Sequence, residues 1–377
     1  MSVNQTASNQ SESFWRKTIL LSGGVTLLCC FGALCYFGLL FYVIDQDIAL
    51  IPTPTLDPNC GETACLNACI RRLPDFEVPP LNENWFEHSE KITGVEIARY
   101  KWDKKADQLI LLATPTVEEY LLPYQTESIH RQIWEYYANI FPDGSEVRVS
   151  YIVFSVNNFH DRFAAAVRDL GSEWYLLINL HDFHSSFAIT NTLTHEYGHL
   201  LTLNKTQTIL LPDEYGSKAD REEFDNMRFR CNGRFFSANR CAIERSYLHD
   251  FGNRFWTGQL YDDWVTAFLQ FDEEEIVYHA AIDEFYGKYP DQFVSLYAAT
   301  NPHEDIAESW TEFILRQKPE GNSIAEQKVL FFYDYPELVQ MRSDILQGIC
   351  RFAMEQNSAL ENKALQAQQH TTKLTPP

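Results

Sequence analysis

Three residues near the middle of the chain have the types and spacing of a metal site. In the stretch THEYGHLL, residues 194–201, His195 and His199 lie four positions apart and Glu196 follows the first histidine. Side chains four apart on an α-helix project from the same face, so both imidazoles can bind one Zn²⁺. Glu196 would then lie beside the ion and take a proton from a water whose pKa the ion lowers. This pattern predicts hydrolysis by a metal-activated water.

A catalytic zinc site normally has three protein ligands, and two histidines leave it one short. The extended motif H-E-x-x-H-x-x-G-x-x-H is excluded, because it requires glycine and histidine where the chain has Thr202 and Lys205. A glutamate from a second helix, farther along the chain, is the remaining common solution. The search for the third ligand therefore moves downstream.

The stretch YAATNPHEDIAESWTEF, residues 297–313, offers such a glutamate. Glu304 and Glu308 are one helical turn apart and hence on one face, and Pro302 is typical of a first turn. We expect Glu304 to bind the ion and Glu308 to hydrogen-bond a ligating histidine. His303 competes as a ligand, but adjacent helical residues point about 100° apart, so only one of the pair can face the metal. An exposed acidic helix face is the competing interpretation of the two glutamates.

The pair HEYGH and EDIAESW resembles the gluzincin metallopeptidases, in particular the lethal-factor and Pro-Pro-endopeptidase-like group, whose second motif reads E-x-x-A-E with an aromatic residue two positions on. The phrases FVSLYAATNPHEDIAESW and SYLHDFGNRFW are also similar to bacterial zinc metallopeptidases of unassigned substrate. The resemblance covers roughly residues 190–315. It departs from the compact members in one respect, because residues 200–303 separate the two motifs and must contain an insertion.

The resemblance implies a role for one tyrosine. The group has a tyrosine seven residues before its ligand glutamate, which donates its hydroxyl to the oxyanion of the reaction, and Tyr297 stands seven before Glu304. Tyr197, inside the first motif, is the alternative oxyanion donor. An ordinary core tyrosine is the competing interpretation of Tyr297.

The amino-terminal part of the chain predicts a membrane anchor. The run from Thr18 to Ile44 is apolar and uncharged, and it is longer than the ~20 residues that a helix needs to cross a bilayer. A cleaved signal peptide fits less well, because its apolar region is typically about 7–15 residues. Arg16 and Lys17 precede the run, so the positive-inside rule predicts a cytosolic amino terminus and an extracytoplasmic remainder.

Six cysteines lie in the predicted extracytoplasmic part, an even number that favours disulfides in an oxidising compartment. They are Cys60, Cys65, Cys69, Cys231, Cys241 and Cys350. We predict a bond between Cys231 and Cys241, because CNGRFFSANRC contains an Asn-Gly turn that can bring its ends together.

The pattern of apolar residues predicts an α+β fold. KADQLILLATP, SEVRVSYIVFSV and EWYLLINL are expected strands and ESIHRQIWEYYANIF an expected helix, while the chain beyond Asn253 is mostly helical by pattern. We expect a two-lobe zincin-like domain with a mixed α/β amino-terminal lobe and a mostly helical carboxy-terminal lobe. The expected organisation is a cytosolic tail (1–17), a transmembrane helix (18–44), a Pro- and Cys-containing stalk (45–80), a metallopeptidase domain (81–356) and a disordered tail (357–377).

The formal net charge of −22 disfavours a nucleic-acid partner, because phosphates would be repelled. Together these observations predict a membrane-anchored, extracytoplasmic zinc metallopeptidase that acts on a protein or peptide, with Zn²⁺ as its cofactor. Two alternatives stay open: an inactive zinc-stabilised binding or sensor domain, and a zinc hydrolase acting on a non-protein material of the cell envelope. Glu196 speaks against the first, because structural zinc does not require it.

Overall fold

A five-stranded mixed sheet and a larger set of helices give the chain an α+β fold, as predicted. The computed structural model describes residues 63–73, 76, 78–79, 94–106, 108–142, 147–156, 165–169, 173–183, 185–211, 221–237, 239–270 and 276–373. The predicted membrane segment, residues 18–44, lies outside this part of the chain. Within it, no helix is both long and apolar enough to cross a bilayer.

The five-stranded sheet has the strand order β2-β1-β3-β5-β4, in which only β3 and β5 pair in parallel. Its strands are β1 (Val95–Asp103), β2 (Gln108–Ala113), β3 (Tyr151–Val156), β4 (Ala165–Asp169) and β5 (Trp174–Asn179). The three strands predicted from apolar runs are confirmed as β2, β3 and β5. Strands β1 and β4 were not predicted, since their sequences mix charged and apolar residues, and β4 forms one edge of the sheet.

Ten helices are found in the described residues, most of them after the sheet. They are α1 (Thr63–Ile70), α2 (Glu127–Ile140), α3 (Ser186–Leu203), α4 (Arg221–Arg230), α5 (Tyr247–Phe255), α6 (Gly258–Phe268), α7 (Ile276–Lys288), α8 (Pro302–Leu315), α9 (Ile324–Phe331) and α10 (Pro336–Lys373). The predicted helix 127–141 and the mostly helical character beyond Asn253 are confirmed. The two motif-bearing helices, α3 and α8, pack closely against each other.

A small three-stranded sheet lies between α3 and α5 in sequence, within the insertion that separates the two motifs. Its strands are β6 (Thr208–Leu210), β7 (Phe236–Ser237) and β8 (Arg240–Ala242). The predicted disulfide between Cys231 and Cys241 is present. It closes a turn in which Asn232 and Gly233 both have positive φ, the conformation that Asn-Gly pairs favour.

The described part of the predicted stalk belongs to the folded domain, which corrects the boundary at residue 81. Helix α1 packs against α10, and Leu66 and Ile70 are buried in the main core. Cys69 forms a disulfide with Cys350 of α10. The sequence did not reveal this pair, because the two cysteines are 281 residues apart.

The predicted disordered tail is also corrected, because α10 continues as a helix through Lys373. The stretch from residue 357 has lost its apolar period, which favoured disorder. Its alanine, leucine, glutamine, glutamate and lysine residues are nevertheless strong helix formers, so the backbone continues the helix that the preceding segment begins.

Candidate metal centre

Helix α3 carries the H-E-x-x-H residues through the interior of the protein. Its amino-terminal end is capped by Ser185, whose hydroxyl accepts a hydrogen bond from the amide of Ala188. His195, Glu196 and His199 are only 6, 7 and 8% exposed. Burial of so polar a helix is feasible because its threonine hydroxyls donate to the carbonyls one turn earlier; these are Thr190, Thr194 and Thr202.

Helix α8 begins immediately before Glu304, and its cap fixes that end of the helix. The side-chain oxygen of Asn301 accepts hydrogen bonds from the amides of His303 and Glu304, at 2.9 and 3.1 Å. Pro302 follows at the first helical position, where a missing N–H costs nothing. This start to the helix places Glu304 in its first turn, facing α3.

The structure brings together the three residues that the sequence nominates as ligands. Glu304 Oε2 lies 2.9 Å from His195 Nε2 and 3.1 Å from His199 Nε2, and the two imidazole nitrogens are 3.0 Å apart. One nitrogen of each histidine and one carboxylate oxygen would thus be available to hold a single Zn²⁺ ion. Within the described residues, this is the group of three with metal-ligand geometry.

Hydrogen bonding on the far side of the ring makes His195 a suitable ligand. Its Nδ1 lies 2.7 Å from Glu308 Oε1 and donates to that carboxylate, which leaves Nε2 with a lone pair directed at the triangle. The other oxygen of Glu308 accepts a hydrogen bond from the Ser295 hydroxyl at 2.7 Å. Glu308 is thus held from two sides and fixes the orientation of the imidazole.

The electrostatics of the centre favour a positive charge at the triangle. Burial alone would lower the pKa of His195, but hydrogen bonds to Glu304 and Glu308 outweigh it and raise that pKa far above its usual range. Burial alone would raise the pKa of Glu304, but the two histidines hold it well below its usual range. A divalent cation satisfies the same carboxylates while both imidazoles stay neutral, each with a single protonated nitrogen.

Glu196 lies beside the triangle and is not one of the three converging residues. Its Oε2 accepts a hydrogen bond from the backbone N–H of Val167 in the edge strand β4, at 2.7 Å. Burial raises the pKa of its carboxyl, an effect that the neighbouring histidines oppose. A carboxylate that is buried, oriented and less acidic than usual is suited to accept a proton. The Val167 contact could not be predicted, because no feature of its sequence marks β4.

The two tyrosines considered as oxyanion donors lie in different surroundings. Tyr197 is buried and donates its hydroxyl to the carbonyl of Pro142, so its side chain points into the core. Tyr297 lies in a short 3₁₀ turn, residues 297–299, with its ring centroid 5.6 Å from that of His195. Desolvation raises the pKa of Tyr297, and the carboxylates of Glu304, with which its side chain hydrogen-bonds, and Glu196 raise it further.

His303 does not join the ligands. Burial lowers its pKa to about 3, so its ring is neutral, and within the described residues its Nε2 has no hydrogen-bond partner. Its neighbour Glu304 faces the histidines of α3 instead, in agreement with the 100° that separates adjacent helical residues.

A groove of about 480 Å³ opens beside the centre and includes Glu304 and Tyr297 in its wall. The remaining lining residues come from α7 and from the segment before α8; they are His279, Ile282, Asp283, Leu296, Thr300 and Asn301. A ligand lying in this groove would be in contact with the edge of the metal centre.

Comparison with known proteins gives a match to a protein-family model. Residues 241–359 match the model of a family described as "Putative zinc-binding metallo-peptidase". The match contains Tyr297, Glu304 and Glu308, but it begins after His195 and His199. No curated protein and no solved structure gives a significant match. Over the helix that supplies Glu304, the chain is therefore similar to a family of zinc-binding metallopeptidases.

Proposed function

We propose that the protein is a membrane-anchored zinc metallopeptidase of the gluzincin type, with its active site outside the cytosol. The observation that carries the proposal is the meeting of His195, His199 and Glu304 beside a fourth residue, the buried carboxylate of Glu196. A purely structural zinc site would use its ligands alone and would not need Glu196 in that position. The family match over residues 241–359 supports the same class of enzyme.

In this proposal His195, His199 and Glu304 hold Zn²⁺. The ion would supply two effects, a lowered pKa of water and polarisation of the substrate carbonyl. Glu196 accepts the proton of the attacking water and later passes it to the leaving amine. Its hydrogen bond from Val167 holds the carboxylate in place for both transfers.

Tyr297 is the proposed donor to the oxyanion that forms at the substrate carbonyl. Its ring is close to His195, and its hydroxyl lies in the field of Glu304 and Glu196. The raised pKa keeps the hydroxyl protonated, which a hydrogen-bond donor requires. Tyr197 is unsuitable, since its side chain is buried and its hydroxyl lies at the carbonyl of Pro142 in the core.

The position of β4 favours a peptide over other substrates. This strand is the outermost one of the described sheet, and Val167 uses its N–H to reach Glu196. Backbone groups alternate along a strand, so those of Ala165 and Asp169 also point away from β5. An extended peptide can pair with such an edge and bring a backbone carbonyl to the centre. A carbohydrate or lipid would not match this row of backbone donors and acceptors.

The membrane anchor and the extracytoplasmic location belong to the same proposal and rest on residues 16–44. Two disulfides, Cys69–Cys350 and Cys231–Cys241, favour an oxidising compartment. The division into two lobes around a cleft is also part of the proposal.

The proposal is tested with the purified full chain and two substitutions. Glu196→Gln keeps the shape of the side chain, so we expect it to retain zinc and to lose cleavage of a peptide library by roughly a hundredfold or more. His199→Ala removes a ligand and is expected to lose both zinc and cleavage. Equal cleavage by the wild type and Glu196→Gln would contradict the proposed peptidase activity. Normal zinc content in His199→Ala would contradict the proposed zinc site.

A further inference from the structure

We propose that the groove beside Glu304 is a subsite for a basic side chain, lysine or arginine, of the substrate next to the scissile bond. This inference rests on the proposed function and names the class of peptide that the same site accepts. It is carried by the position of the groove, its exposed apolar walls and the carboxylate of Asp283, which pairs with no lysine or arginine among the described residues.

The position of the groove follows from two residues that it shares with the metal centre, Glu304 and Tyr297. A peptide whose carbonyl lies at the centre must direct a neighbouring side chain either to solvent or into this space. The volume of about 480 Å³ accommodates a long side chain together with part of the backbone that carries it.

The walls of the groove suit the methylene stem of such a side chain. Leu296 and Tyr297 are 45 and 54% exposed and offer apolar surface to a ligand, and the buried Ile282 also lines the groove. Covering this surface removes apolar area from water and therefore favours binding. Lysine and arginine stems cover apolar surface while their charged ends stay at the rim.

The charge of the groove decides which long side chain fits best. Asp283 and Glu304 are the carboxylates among the lining residues, and neither lysine nor arginine is present there. Lys288, the basic residue at the end of α7, already pairs with Asp263 and does not neutralise Asp283. A basic side chain therefore gains an ion pair in the groove, and an acidic one is repelled. The formal charge of −22 on the whole chain acts in the same direction.

His279 also lines the groove and lies one turn before Asp283 on α7.

The test maps cleavage sites of the full chain in a proteome-derived peptide library. We expect lysine and arginine to be enriched at one position adjacent to the cut. Asp283→Asn should lower that enrichment roughly two- to fivefold, as expected for an exposed ion pair, and Asp283→Lys should shift it towards aspartate and glutamate. Glu284→Gln is the matched control, because this exposed neighbour on α7 does not line the groove and should leave the profile unchanged.

The outcomes separate this inference from the proposed function. Cleavage without a basic preference, or with one that Asp283→Lys leaves intact, overturns the subsite and leaves the peptidase in place. Absence of any zinc-dependent cleavage by the wild type overturns both.

Discussion

Gly198 lies directly against the indole of Trp310, at the point where the two motif-bearing helices cross. A Cβ on Gly198 would stand 2.9 Å from Cδ1 of Trp310 and 3.2 Å from the Cα of Ala307. Both distances are shorter than ordinary van der Waals contact, so only glycine fits without a shift of α8. The glycine of HEYGH and the alanine and tryptophan of EDIAESW thus set the separation between α3 and α8, and with it the size of the ligand triangle.

Substitution Gly198→Ala is expected to weaken zinc binding while leaving the fold intact. The added methyl group overpacks the helix crossing by about 1–3 kcal/mol, and shifting α8 relieves the strain at the expense of the triangle. We expect zinc affinity to fall by roughly tenfold, measured by competition with a chromophoric chelator. Gly287→Ala on α7 is the control, since a Cβ there has no neighbour within 4 Å. An unchanged zinc affinity in Gly198→Ala would show that the two helices can accommodate the methyl group without displacing the ligands.

The local parts of the site could be predicted from the sequence, because they depend on periodicity and caps. The spacing of His195 and His199 and the first turn of α8 at Pro302 are properties of a few neighbouring residues. The structure realises each in the expected element. The Cys231–Cys241 disulfide could be predicted for the same reason, since an Asn-Gly turn lies between the two cysteines.

Contacts between distant segments could not be predicted. Strand β4 has no clear alternation, yet its Val167 amide orients Glu196. Helix α1 lies in a stretch whose prolines and cysteines favoured a stalk, and only the contact with α10 shows that it belongs to the domain. The buried ion pair between Lys328 and Asp305 could not be predicted either, because neither residue's sequence neighbours indicate which side chain it contacts in the folded chain.

Glu304 and Glu308 have different expected roles, and the zinc affinities of two variants distinguish them. Glu304→Gln removes a carboxylate from the triangle and should lose most of the bound zinc. Glu308→Gln leaves the three ligands in place but weakens the hydrogen bond to His195, so affinity should fall by about 10–100-fold. Metal analysis after dialysis, followed by chelator competition, measures both.

Glu312→Gln is the control for this pair, because Glu312 lies one turn farther along α8 and contacts only Arg316 among the described residues. Its zinc affinity should equal that of the wild type. A larger loss in Glu308→Gln than in Glu304→Gln would exchange the two assigned roles.

A buried ion pair holds α8 on the face next to the one that bears Glu304. Lys328 Nζ of α9 lies 2.7 Å from Asp305 Oδ2, both side chains are 0% exposed, and the indole N–H of Trp256 donates to the same oxygen at 2.7 Å. Burial raises the pKa of Asp305 to about 6, although Lys328 opposes this effect. The pair therefore contributes little net stability, but removal of one partner leaves a buried charge alone.

We expect Lys328→Met to lower the free energy of unfolding by about 3–5 kcal/mol, measured by denaturant titration. The double variant Lys328→Met/Asp305→Asn should recover most of this loss, because the amide oxygen still accepts from Trp256 and no charge remains buried. Lys288→Met, which breaks the exposed pair with Asp263, is the control and should have a much smaller effect. Equal stability of the single and double variants would contradict the claim that the unpaired carboxylate of Asp305 causes the loss.

We expect the buried His130 to make the protein less stable in mild acid. It is fully buried between Tyr100, whose hydroxyl lies 2.9 Å from Nδ1, and the carbonyl of Tyr124, which is 2.8 Å from Nε2. Since a carbonyl can only accept, Nε2 carries the proton and Nδ1 accepts from Tyr100, so the ring is neutral. Burial lowers the pKa of His130 to about 4.

Protonation of His130 in the unfolded chain determines the direction and the pH range of this change in the free energy of unfolding. Between pH 6.5 and about 4 the unfolded chain binds a proton at residue 130 that the folded chain does not, so stability falls as the pH decreases through this range. The full effect is about 3 kcal/mol, present above pH 6.5 and lost by pH 4. His130→Gln can donate and accept but does not titrate, so its stability should lack this part of the pH dependence. Denaturant titrations of both proteins from pH 7 to pH 4, with chelator present to remove any effect of metal loss, measure the difference. Parallel pH profiles would mean that His130 is protonated equally in the folded and unfolded chains, contrary to its hydrogen bonds.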